Sequence, residues 1–419
     1  MSETEVNLVI RGGMLIDGLG GPPVSTGLVA IAGTRIAFAG PAHEAPPSLW
    51  STAARTIDLP DACLLPGLID MHVHATYYWE EPDSAAYTYE PEEALVYSDV
   101  MIGLLAAANL RQALLAGVTT ARDTGSVNRV IFDVKRAVDK GLMPGPKLYT
   151  AGRLIVPTGG HVHYLPGLAN QADGPDGFRR AVREELRAGA DFIKLANNSA
   201  DLTQEELNAA VDEAHRRGKK VACHTSRPPS QRMAIDAGVD TFEHGTPTPE
   251  EIDLAAEKGI TWTPTINITL AYLDLCERRL KADGCQPIST NRNRATRDRW
   301  KKEYDETVEY LERKRASIAY ALKTGMKLAA GTDSWMGGVR FGAIADEVRC
   351  LVEYGCTPAQ ALQAATLWPA QAMGWEEIGD LAPGKLADVV AVAGDPLAEI
   401  GAVDRVVLVV REGQVVTGG

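Results

Sequence analysis

Residues 64–74 read LLPGLIDMHVH, an apolar strand-like run that ends on two histidines two positions apart. On a β-strand that spacing puts both side chains on one face. Seven similar runs follow: VTTARD (118–123), KLYTAGRLI (147–155), DFIKLA (191–196), KVACHT (220–225), DTFEH (240–244), ITWTPT (260–265) and KLAAGTD (327–333). Helical stretches separate most of them, at residues 99–117, 176–190, 203–218, 230–238 and 249–259. Eight strand–helix alternations without hairpin signals predict an α/β fold, a closed parallel (β/α)8 TIM barrel. An open doubly wound sheet is disfavoured, because no GxGxxG follows any of the strands.

Outside this region the pattern changes. Short β runs (VNLVIRGG, GLVAIAG, TRIAFAG, TIDLP) fill residues 5–62, broken by the turn-rich GLGGPPVSTG. The same character returns in GDLAPGKLADVVAVAGDPL and VDRVVLVVREGQVV. Both ends are therefore expected to pair into one small β-sandwich domain. Residues 1–63 and 379–419 would form it, with the barrel over 64–378.

The 419-residue chain carries 42 Lys plus Arg against 55 Asp plus Glu, a net charge of −13, and is 45% apolar. It can bury a large core, and its acidic balance argues against nucleic acid as a partner. No apolar run reaches the roughly 18–20 residues of a membrane span. The start, MSETEVNLVIRGG, lacks the form of a secretory signal, and the six cysteines show no CxxC pair. A cytoplasmic protein with reduced thiols is the expectation.

Chemistry-bearing residues collect at the strand ends: His72 and His74 on the first, Lys194 on the fourth, His224 on the fifth, His244 on the sixth and Asp333 on the eighth. In a barrel these ends converge on one mouth, where barrel enzymes place their sites. Any one histidine alone is an ordinary core or surface residue; the set, in a chain with only eight, is the signal. The link over 267–323 is long, with a helix near 298–325 whose start carries Arg292, Arg294, Arg297, Arg299, Lys301 and Lys302. That basic run reads either as a solvated helix face or as a cationic lid for carboxylates.

With PGLIDMHVH, the Lys of DFIKLA, the His of VACHT, FEHGT and AGTDS in this order, the chain resembles the amidohydrolase superfamily of metal-dependent hydrolases. The tail ATLWPAQAMGWEEIGDLAPGKLADVVAVAGDPL also looks like that family's passage from barrel to sandwich, so the resemblance covers nearly the whole chain. It is strongest to the branch of imidazolonepropionases, prolidase-like dipeptidases and related amide hydrolases. The resemblance implies His72, His74 and Asp333 around a buried metal ion. It further implies Lys194, carboxylated by CO2, bridging to a second ion held by His224 and His244. An unmodified lysine would be repelled by two cations, whereas its carbamate is an anionic oxygen ligand. Imidazole and oxygen donors suit zinc, and also manganese, cobalt or nickel. The implied reaction is hydrolysis by metal-bound hydroxide, with Asp333 accepting and returning the proton.

The substrate is less legible. Deaminase-like relatives carry His-x-x-Glu at the fifth strand, but Thr225, Ser226 and Arg227 follow His224 here. An amide C–N bond in an N-acyl amino acid or dipeptide is the favoured target. A carbamate, urea, thiocarbamate, ester or lactone is the alternative. Candidate substrate contacts are His161 and His163 in VPTGGHVHYLPG, which resembles the TGGH loop of the dipeptidase-like branch, with Arg227 and Tyr77. Cys223 alternates away from His224 and should pack into the barrel wall. Relatives often form symmetric assemblies, so a homo-oligomer is expected.

Overall fold

Leu8 and Ile10 fall on one side of the first strand and Val9 on the other, and the two sides belong to separate apolar clusters. That period of two, with both faces buried, makes β1 (Leu8–Leu15) the spine of a small domain. The computed structural model describes residues 6–51, 53–76, 97–163, 165, 167–281, 297–334 and 338–418. β2 (Val24–Ser25), β3 (Gly27–Ala32) and β4 (Arg35–Pro41) continue the domain. β5 (Arg55–Pro66) returns parallel to β1. Leu64–Pro66, which the sequence groups with the barrel, belong to this sheet: Leu64 pairs with Leu15.

The chain then enters the barrel. β6 (Leu68–Val73), β7 (Val118–Asp123) and β8 (Lys147–Thr150) run parallel. After them come β9 (Leu154–Val156), β10 (Ala169–Gln171), β11 (Ile193–Asn197), β12 (Val221–Thr225), β13 (Thr241–His244) and β14 (Thr261–Thr263). This second sheet has the order β10-β9-β11-β12-β13-β14. The two sheets meet where Asp191 N–H donates to the Thr150 carbonyl at 2.8 Å. Residues 328–334 close the ring in the eighth place, with Leu328 bridging to Trp262 and Ser334 to Val73. β9 and β10 belong to the loop after the third barrel strand.

β15 (Val389–Ala393), β16 (Val406–Arg411) and β17 (Gln414–Thr417) complete the terminal domain. Its eight-stranded sheet has the order β17-β16-β15-β5-β1-β3-β4, with β2 on β1. The fold is therefore the expected (β/α)8 barrel with a small β domain built from both ends of the chain. Among the described residues no helix is long and apolar enough to cross a membrane.

Local chemistry explains the outer helices. Thr203 with Glu206, and Thr248 with Glu251, form reciprocal capping boxes that satisfy the first N–H groups. The helix Val130–Asp139 was not foreseen. The long 267–323 link contains two helices, Ile266–Lys281 and Arg297–Thr324, where the sequence indicated only the second. Arg292 and Arg294 lie outside the described residues.

One surface cluster sets an acid limit on stability. The Glu213 carboxylate is fully buried under guanidinium groups: Arg183 Nε sits 2.7 Å from it, Arg216 Nη2 2.6 Å, and Arg217 also pairs with it. These partners, Arg183 foremost, hold its pKa down to about 2. A carboxylate depressed in the folded state stabilises above its unfolded pKa and loses that contribution as pH falls through the folded value. With half-exposed arginines partly screened, the term is about 2 kcal/mol. Glu213→Gln should therefore have a lower urea midpoint than the native chain at pH 6, and the gap should close as pH approaches 2. An equal gap at both pH values would contradict this account.

Candidate active site

The strand ends deliver the expected groups to one cavity of about 830 Å³ at the barrel mouth. His72, His74, Lys194, His224, His244 and Asp333 all line it. His72 Nε2 lies 3.5 Å and His74 Nε2 3.3 Å from Asp333 Oδ1. Ligand atoms of these three residues all lie within 4.8 Å of one another, close enough to share one cation. The His244 ring stands 4.8 Å from that of His72 and 4.7 Å from that of His224.

On each of the four imidazoles one nitrogen is claimed by a neighbour. His72 Nδ1 is 3.0 Å from Glu243 Oε2, and His74 Nδ1 is 2.9 Å from the Gly125 carbonyl. His244 Nδ1 is 2.7 Å from Thr265 Oγ1, and His224 Nε2 is 2.8 Å from Ser226 Oγ. The Nε2 atoms of His72 and His74 face Asp333 Oδ1 instead, and a neighbour holding one ring nitrogen is the arrangement expected of metal-binding histidines. Burial, above all, holds His72 and His224 well below the usual imidazole pKa and His244 down to about 3. These rings are neutral near pH 7, which is the form that coordinates a metal.

Lys194 is 1% exposed, and its Nζ has no hydrogen-bond partner. Burial lowers its pKa to about 8, so a nucleophilic neutral amine is accessible near physiological pH. An orphaned buried amine beside four imidazoles and Asp333 fits carboxylation better than a structural ammonium, which would be paired. Burial pushes the Asp333 pKa up, but the imidazoles of His72, His244 and His74 pull it well below the carboxylate range. The donors offered are imidazole nitrogen and carboxylate oxygen, and among the described residues no cysteine lines the cavity. That set suits zinc, manganese, cobalt or nickel.

Backbone geometry at the rim is unusual. His244 has φ 63° and Asp333 φ 54°, left-handed values that cost about 1 kcal/mol or more each. Both are held from outside. Trp262 Nε1–H donates to the His244 carbonyl, and Asp333 N–H donates to the His72 carbonyl at 2.7 Å. Asp70 anchors the preceding turn, accepting from Thr332 N–H at 3.0 Å and Thr332 Oγ1 at 2.7 Å. Gly331 is required by close approach, since a Cβ there would lie 2.8 Å from His72 Cβ.

The candidate substrate contacts divide. His161 lines the cavity with its ring stacked 4.0 Å over that of His224, and burial drops its pKa to about 4. His163 is exposed, with Nδ1 2.7 Å from the Gly160 carbonyl, and does not line the cavity. Its backbone turns outward after Val162, which has φ 56°. Arg227 lines the mouth, exposed, and among the described residues its side chain makes no ion pair. Tyr77 lies outside the described residues. Cys223 is buried in the apolar cluster shared by the strands and the outer helices and does not line the cavity, as alternation predicts.

Of the two readings of the basic run, the described residues favour the solvated helix face. The helix Arg297–Thr324 does form one wall, but it presents Glu303, Glu306, Glu309, Tyr310 and Arg313 to the cavity. Three residues of the basic run are paired along the helix surface: Arg299 with Glu303 at 3.7 Å, Lys302 with Glu306 at 3.6 Å, and Lys301 with Asp305. The helix Ile266–Lys281 adds Ile268, Thr269 and Tyr272, and the loop after the third strand adds Leu154, Val162 and Leu168. One side of the cavity is therefore apolar and aromatic.

Several buried charges went unassigned in the sequence. Among them Asp70, Arg122, Asp123 and Glu243 sit inside barrel strands, at 1%, 0%, 0% and 0% exposure. A charged residue in such a strand is itself the signal, since it must be paired or functional.

Comparison with known proteins shows the family and the fold. The profile of the amidohydrolase family matches residues 63–416. The ochratoxinase of Aspergillus niger is 28% identical over 429 aligned residues, covering 94% of this chain and 82% of that protein. The crystal structure of A. niger ochratoxinase superposes with a TM-score of 0.83 at 26% identity, covering 99% of this chain and 97% of that one. A Xaa-Pro dipeptidase crystallised with bound methionine in its active site gives a TM-score of 0.81 at 28% identity, with 98% and 100% coverage.

Proposed function

Because the chain belongs to the amidohydrolase family, we propose that it hydrolyses the amide bond of an N-acyl amino acid or dipeptide whose acyl or side-chain part is apolar or aromatic. His72, His74 and Asp333 would hold one divalent cation, and carboxylated Lys194, His224 and His244 a second. Such ions, most plainly zinc, supply an ionised water at neutral pH and polarise a carbonyl. The observation that carries this reading is Lys194: a fully buried amine, unpartnered, in the cavity that gathers the histidines.

The chain's own residues do the rest. Asp333, charged throughout the working pH range and with Oδ1 facing the Nε2 atoms of His72 and His74 in the cavity, takes the proton of the attacking water and returns it to the leaving amine. His161, neutral and stacked on His224, is placed to donate to a substrate oxygen. Leu154, Val162, Leu168, Ile268 and Tyr272 cover the apolar group and exclude water from it. Arg227, a cation at the mouth with no ion pair among the described residues, binds the substrate carboxylate.

The test is amine release across a panel in which the acyl group and the terminal carboxylate are varied independently. Aromatic acyl groups with a free carboxylate should be cleaved fastest. Arg227→Met should raise KM about tenfold for free acids and leave carboxamide-capped analogues unchanged, the size expected of one solvent-accessible charged hydrogen bond. Equal cleavage of acids and capped analogues by the native enzyme would remove the carboxylate from the proposal and turn attention to carbamates, ureas and esters.

A further inference from the structure

A neutral imidazole coordinates through Nε2 only when its proton sits on Nδ1, so a ligand histidine needs its tautomer fixed. The surroundings of His72 do this through a relay that reaches across the barrel interior. His72 Nδ1 faces Glu243 Oε2 at 3.0 Å. The other oxygen, Glu243 Oε1, receives Arg122 Nη2 at 2.7 Å and Thr241 Oγ1 at 2.7 Å. Arg122 Nη1 also donates to Thr241 Oγ1 at 2.9 Å, so the threonine's own proton is directed to Glu243. Arg122 Nε donates to the Met71 carbonyl at 2.6 Å, next to His72 in the chain. All of these side chains are fully buried, so water cannot stand in for any partner.

We propose that Arg122 and Thr241, acting through Glu243, fix His72 in the Nδ1–H tautomer and thereby keep its Nε2 open for the buried cation. Glu243, Arg122 and Thr241 are positioning residues, and the inference rests on His72 being a metal ligand. The geometry makes one near-isosteric change decisive. In Glu243→Gln the amide oxygen must lie at the Oε1 place, because both neighbours there donate. The amide N–H then faces His72 Nδ1 and requires an acceptor. The His72 proton moves to Nε2, the atom that points at Asp333 Oδ1 from 3.5 Å, and the lone pair that would bind metal is lost.

The experiment reads metal affinity and tautomer, with no substrate. Zinc is titrated into the full-length apoprotein against a competing chelator, and 15N-histidine spectra of the same apoprotein report which nitrogen of His72 carries the proton. Glu243→Gln should weaken the first zinc equivalent 10- to 100-fold, the usual range for loss of a partner behind a ligand, and should move the His72 proton to Nε2. Glu243→Asp, whose carboxylate reaches Arg122 or His72 but not both, should fall between the two. Zinc binding by Glu243→Gln equal to the native chain's overturns the inference. So does a native His72 protonated on Nε2, a readout that holds even if the glutamine variant fails to fold. A native chain that binds no zinc while His72 carries Nδ1–H instead overturns the ligand reading, which keeps the two failures apart.

Discussion

Asp333→Asn should leave a folded protein whose turnover is about 1000-fold lower, within the range for loss of a general acid–base group. Asparagine is isosteric with aspartate and is one of the few residues that tolerates the left-handed backbone held here at φ 54°. The Thr332 anchor on Asp70 and the backbone bond from residue 333 to the His72 carbonyl are untouched by the change. What disappears is a carboxylate that stays ionised among three imidazoles and can accept a proton. The measurement is kcat on a cleaved amide, alongside thermal melting of both proteins. A turnover within tenfold of the native value would refute the assigned role. Asp333→Ala is the less informative variant, because it adds backbone strain to the lost chemistry.

Lys194→Met is expected to have the other large effect, and its signature differs. The side chain keeps its length and loses a buried amine with no partner, so stability should hold or rise. Bound metal should drop from two equivalents to one, and turnover by at least 100-fold, since several kcal/mol of charge stabilisation leave with the second ion. In Lys194→Ala the vacated space should admit formate or acetate, and either acid should restore part of the activity by supplying the missing oxygen ligand. Elemental analysis decides the matter: one equivalent in the fully active native enzyme would sink the binuclear reading.

The barrel and its ligand candidates were legible because strand periodicity and strand-end chemistry are local properties. His72 and His74 two apart, and Asp333 closing AGTD, need only the direction of a strand to be placed. Partners contributed by distant strands were not legible. Nothing near Glu243 announces that Arg122 and Thr241 will share its Oε1, because the contact exists only once the barrel closes. The basic run at 292–302 left two readings open for a related reason. Composition records charge, whereas i,i+4 spacing spends Arg299, Lys301 and Lys302 on acids one turn away. His163 shows the same limit at short range, since the left-handed Val162 turns it away from the site that His161 enters. Arg227 needed the fold only to show that it makes no ion pair among the described residues.

The terminal sheet also carries a kinetic consequence. β5 has β1 on one side and β15 on the other, and Pro66 pairs with Val389. On the ribosome the first five strands are therefore complete long before the strand that seals β5 has been made. Through most of synthesis β5 keeps an unpaired edge, the kind of surface on which chains associate with one another. Pairings this far apart in sequence also slow folding, because loop closure precedes any gain from contact. Expression at low temperature should raise the soluble yield of this protein more than it would for a barrel without such a cap.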